Sequence, residues 1–121
     1  MVVKNSVLVL GIVFILIGLL GFFNNPIIGL FSVNALHDLV HLLSGILAII
    51  FAVNSEKAAR TFSQVFGVVY ALVAVLGFVA PTFMVKLLNI NTADNWLHVV
   101  LALVFLGLGF MSKPAMAESA S

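Results

Sequence analysis

Between Asn5 and Leu36 the chain carries no charged side chain. A helix made from such a stretch is long enough to cross the roughly 30 Å hydrocarbon core of a bilayer. Three more apolar runs follow, and spans are expected at about 5–23, 35–53, 58–80 and 93–111. In lipid the backbone must satisfy its own hydrogen bonds, so each run is expected to be helical. Only 7% of the 121 residues are charged, against 64% hydrophobic. Soluble domains carry about a quarter charged residues, and this chain cannot cover a surface that faces water. The expectation is an all-α integral membrane four-helix bundle, a single transmembrane domain over residues 1–111 with membrane lipids around it. The polar residues 112–121 read as a disordered cytoplasmic tail.

The connections differ in character. Asn25-Pro26 and Gly29 punctuate the first, whose apolar neighbours place it in the interface. Asn54 to Arg60 holds three charges and reads as the clearly wet connection. Pro81 is expected to close the third helix, and Phe83 to Ile90 reads as another interfacial piece with a single lysine. Lys4 precedes the first apolar run as in a signal peptide. No small-x-small cleavage site follows, which favours a retained span. Lys4, Lys57, Arg60 and Lys113 fall on one side of four spans and Lys86 on the other. By the positive-inside rule both termini are expected to be cytoplasmic in a multi-pass cell-membrane protein.

A polar stripe interrupts this hydrocarbon. Asn34, His37, Asp38, His41 and Ser44 open the second span, with His37 and His41 at the i, i+4 spacing that shares one helical face. The phrase returns in the fourth span. Asn91 repeats Asn34, Asp94 stands for His37, Asn95 for Asp38 and His98 for His41. Gly21-Phe22 and Gly77-Phe78 recur at nearly the same offset. The chain therefore reads as two tandem helical hairpins. Each would enter the membrane in the same sense, with a pseudo-twofold along the membrane normal.

Packed side by side, the second and fourth spans would gather Asn34, His37, Asp38, His41, Asp94, Asn95 and His98 at one depth. Such groups are costly in a bilayer unless paired, hydrated or bound to something. Three readings stay open. In the first, His41 and His98 bond across to Asp94 and Asp38 and set the packing of the hairpins, while Asn34 and Asn91 cap helices. In the second, His37, His41 and His98, with Asp94 or Asp38, supply the nitrogen and oxygen ligands of a metal site. Zinc, iron or haem are the candidates there, and no cofactor is the default. In the third the cluster lines a pathway for protons or a small solute, or a lipid-binding pocket. Four helices leave little lumen unless the protein joins copies of itself or another membrane protein.

Other chemistry is excluded or weak. There is no cysteine for thiolate sites, and no basic patch for nucleic acid. No phosphate loop, dinucleotide fingerprint or serine elbow is present, and both glutamates, Glu56 and Glu118, lie away from the stripe. No enzyme class is indicated and no catalytic residue is assigned. Trp96 reads as an interfacial anchor, Tyr70 as core packing with its hydroxyl bonded to a neighbour, and Gly45 as a point of close helix approach.

A family resemblance rests on residues already singled out. In the first half these are Asn25-Pro26, Gly29-Leu30-Phe31, Val33-Asn34, His37, His41 and Gly45; in the second they are Tyr70, Ala93-Asp94-Asn95 and His98. Together they resemble a family of small bacterial four-helix membrane proteins known as domain of unknown function 4383 (DUF4383). The likeness covers the chain up to its polar tail. It implies four spans in a bacterial inner membrane and supports the pairing of the two stripes, and it implies no activity. The family pattern has Asn where this chain has Asp38.

Overall fold

The computed structural model describes residues 2–112, and the expected tail beyond them lies outside the described residues. Five helices follow one another: α1 (Val2–Gly21), α2 (Ala35–Asn54), α3 (Glu56–Val79), α4 (Pro81–Leu88) and α5 (Thr92–Phe110). Four of them, α1, α2, α3 and α5, are long and apolar enough to cross a membrane. The protein is an all-α membrane helical bundle. Its outward faces are aliphatic, with Leu16, Leu43, Leu72 and Leu103 each more than half exposed. Helices that are hydrophobic all round belong in lipid.

The short α4 corrects the four-helix expectation. Pro81 does not merely end α3; it opens α4 at the first helical position, where its missing N–H is no loss. Asn89 then closes α4 in the left-handed conformation, with φ 54°, which asparagine adopts more readily than most residues. Ala80 supplies no side-chain cap to α4, so Pro81, which stops one helix as readily as it starts the next, is the signal at its start.

Local chemistry starts the other helices. Asn34 Oδ1 accepts from His37 N at 2.9 Å to cap α2. Ser55 ends α2 and begins α3, its Oγ accepting from Ala58 N at 2.9 Å. Asn91 and Asp94 form a capping box at α5, with Asn91 Oδ1 accepting from Asp94 N and Asp94 Oδ2 from Asn91 N. α1 packs along α2, and α3 along α5. The α1–α2 contact closes to backbone distance where Gly45 meets Gly11: a Cβ on Gly45 would lie 2.6 Å from Gly11 O. Gly45 thus serves the close approach expected of it.

At the opposite end of the bundle from α4, the connection read as wet is partly interior. Glu56 and Arg60 are buried, while Lys57 between them is exposed. Glu56 Oε1 accepts from Lys4 N at 2.6 Å and Oε2 from Val3 N at 3.3 Å, closing the first turn of α1. Arg60 Nη1 donates to Met111 O at 2.7 Å, and Gln64 Nε2 to Gly109 O at 2.8 Å, closing the end of α5. Free helix-terminal N–H and C=O groups supply these partners. They lie some fifty residues away in sequence, and no local pattern announces them.

Candidate metal centre

The inward stripe of α2 and the facing stripe of α5 bring three imidazoles together. His37 and His41 lie one turn apart and meet edge to face, with ring centroids 4.6 Å from each other and 79° between planes. His98 reaches across from α5, its centroid 5.7 Å from His37 and 6.2 Å from His41. Each ring offers one nitrogen to a common point, and the three nitrogens lie within 4.8 Å of one another. All three residues are buried.

The rings are held from behind. Phe14 stacks on His41 at 5.6 Å and 11° between planes, and Tyr70 lies beside His98 at 5.8 Å. Phe14 and Tyr70 occupy corresponding places ahead of the two stripes, so the repeat extends to the residues that wall the site. Their roles are not visible from either stripe alone. Tyr70 donates its hydroxyl to Ser44 Oγ at 3.2 Å, as its expected bonding to a neighbour requires.

Hydrogen bonding fixes the state of one ring. His37 Nδ1 lies 3.0 Å from the carbonyl oxygen of Leu88. A carbonyl only accepts, so Nδ1 carries the proton and Nε2 presents a bare lone pair. That Nε2 is buried and has no protein partner. Both nitrogens of His41 and Nδ1 of His98 are also buried without a partner. Buried polar groups left unpaired are rare and each needs a physical reason. A cavity of about 70 Å³ adjoins the three rings, with Ser44, Tyr70 and Leu88 also on its wall. It has room for a water or for the open side of a coordinated ion.

The remaining residues of the expected cluster lie outside this group of three. Asn34 caps α2, and its Nδ2 donates to Leu87 O at 3.1 Å. Asp94 is committed to the capping box, and the group of convergent ligands does not include it. Asp38 faces Gly21 of α1, and a Cβ at Gly21 would collide with Asp38 Oδ1. Asn95 stands in the same relation to Gly77 of α3, and its Nδ2 donates to Gly77 O at 3.1 Å. No histidine–aspartate hydrogen bond joins the stripes among the described residues. Trp96 is exposed and edge-on to Phe78.

A tetrahedral zinc site has metal–nitrogen bonds of about 2.0–2.1 Å, which sets ligand nitrogens roughly 3.3 Å apart. The three nitrogens stand within 4.8 Å of one another, close to that spacing. Three imidazoles make a donor set that a metal ion can take, and a backbone carbonyl on the far nitrogen of His37 supplies one outer-shell partner. The triad is therefore a buried site capable of coordinating a metal ion.

The family model described as "Domain of unknown function (DUF4383)" matches residues 4–111. No curated protein and no solved structure matches the chain. The match takes in all four long helices and the three histidines, and the chain belongs to the DUF4383 family.

Proposed function

We propose that this membrane protein binds one divalent transition-metal ion, zinc foremost, through His37, His41 and His98. The observation that carries the reading is His37, whose Nδ1 is bonded to Leu88 O while its Nε2 is buried and unpartnered beside two more buried imidazoles. Three protein ligands and an open fourth position are the pattern of zinc sites that bind water or a ligand. Zinc fits better than iron because non-haem iron favours two histidines with a carboxylate, whereas the convergent group holds three histidines and no carboxylate, Asp94 being committed to its capping box and Asp38 lying against Gly21. Haem fits less well, since imidazoles converging on one point leave no slot for a macrocycle. Zinc bound there would supply Lewis acidity. The residues of this chain orient it, exclude lipid and keep two hydroxyls, Ser44 and Tyr70, beside the open side.

The packing role falls to asparagines rather than to the histidines. Asn34 Nδ2 reaches Leu87 O, and Asn91 Nδ2 reaches Leu30 O at 2.8 Å. These bonds are exchanged between corresponding places in the two halves, which supports a build from two tandem hairpins, α1–α2 and α3–α5, around a pseudo-twofold. A cytoplasmic position for both termini is supported by Lys4, Lys57 and Arg60 at one end of the bundle and Lys86 at the other. The metal site then lies near the outer face.

Metal analysis of protein purified in detergent without chelator tests the reading. About one zinc per chain is expected after loading, falling below about a tenth in a folded His41→Ala, His98→Ala double variant. Wild-type protein that stays empty after zinc is offered would overturn it.

A further inference from the structure

The three imidazoles are closed off from water, with His37 and His98 each 1% exposed and His41 4%. An ion therefore needs a path to them, and hydrocarbon is no path for a charge. Toward the Glu56 end the interior is filled by the main core, Phe14, Phe62 and Phe105 among it. His37, in the first turn of α2, is the ligand nearest the other end. There it is covered by α4, whose Leu88 touches it.

α4 is lightly held. Of its residues only Met84 and Leu88 are buried, and with Ile90 they form a small cluster against Val73, separate from the main core. Its other ties are hydrogen bonds to the first half of the chain: Asn34 Nδ2 to Leu87 O, His37 Nδ1 to Leu88 O, and Asn89 Nδ2 to Val33 O at 2.9 Å. The helical backbone breaks at both of its ends, at Ala80 (φ −128°, ψ 59°) and at left-handed Asn89. Elements with few buried apolar contacts are the ones that open locally, and residues at element ends absorb hinge rotations.

We propose that α4 is the gate of the metal site: it lifts to admit the ion from its own end of the bundle and is held down once the ion is bound. The inference rests on the zinc reading. Leu88 O links the two events. An imidazole bound to metal through Nε2 keeps its proton on Nδ1, and Leu88 O accepts that N–H only while α4 is down. Outer-shell partners of this kind are worth about 10–100-fold in metal affinity. Lifting α4 therefore opens the path and loosens the ion in one movement. By linkage, a bound ion holds α4 down by the same factor.

The test follows α4 in full-length protein in liposomes. Met84→Cys puts a thiol on the buried face of α4 in a chain without native cysteine, and an impermeant maleimide reports lifting. Zinc loading should slow this labelling about tenfold or more. Asn89→Gly keeps the left-handed backbone but loses the bond to Val33 O. It should speed both the labelling and the removal of zinc by EDTA about fivefold, with zinc content unchanged. Gln64→Ala loses a comparable bond at the opposite end and should alter neither rate. EDTA outside the vesicles should strip only chains whose exposed Phe23→Cys, at the α4 end, is labelled from outside. Labelling indifferent to zinc would overturn the coupling, and wild-type rates in Asn89→Gly would overturn the gate. Stripping of the oppositely oriented chains would overturn the route. Protein that takes up no zinc would remove the metal reading and the coupling with it, while Met84→Cys labelling in Asn89→Gly would still decide whether α4 lifts.

Discussion

Asn34 and Asn91 perform the same two tasks at the starts of α2 and α5. Each caps its own helix through Oδ1, and each sends Nδ2 across to a backbone carbonyl of the other half, Asn34 to Leu87 and Asn91 to Leu30. An N-cap lost to alanine costs about 1 kcal/mol, and a hydrogen bond about the same.

Asn34→Ala should therefore lower stability by about 2 kcal/mol, and Asn34→Asp by about half of that. Aspartate still caps but cannot donate to Leu87 O. Reversible unfolding in mixed detergent would read both values. Equal stability of the aspartate variant and wild type would show that the crossing bond contributes nothing.

The pair Asp38–Gly21 and its counterpart Asn95–Gly77 give a second prediction. Asn95 has an amide to donate to Gly77 O, whereas Asp38 Oδ1 is buried without a partner. Asp38→Asn should raise the melting temperature, and Asn95→Asp should lower it. Gly21→Ala and Gly77→Ala should each cost about 1–3 kcal/mol, the ordinary penalty of overpacking, because the added methyl collides with Asp38 or Asn95. A Gly77→Ala variant as stable as wild type would contradict this packing.

At the far end of the bundle, Glu56 closes the first turn of α1. Glu56→Ala should speed amide exchange at Val3 and Lys4 several-fold and lower stability by about 1–2 kcal/mol. It removes two acceptors and a negative charge from a helix N-terminus. Glu56→Gln keeps an acceptor and should fall between. Exchange at these amides that ignores the substitution would show the turn is held by something else.

What the sequence reveals follows from how local each signal is. The long helices come from apolar run length, and the meeting of His37, His41 and His98 from i, i+4 spacing plus a repeated phrase. Asp94 illustrates the opposite difficulty, because a carboxylate three residues after Asn91 fits a capping box and a ligand equally well, and only its hydrogen bonds separate the two. Helix α4 carries no side-chain cap to announce it. The burial of Glu56 and Arg60 depends on partners about fifty residues distant, so their charges read as water-facing. Leu88, which sets the tautomer of His37, acts through its backbone, which no residue type discloses.

Zinc K-edge X-ray absorption on the loaded wild-type protein tests the central claim most directly, because it counts the imidazoles around the ion. Three histidine nitrogens at about 2.0–2.1 Å and one oxygen ligand are expected, with the imidazole signal reduced in His98→Ala. A zinc surrounded by oxygen alone, or a spectrum that His98→Ala leaves unchanged, would contradict a site built from His37, His41 and His98.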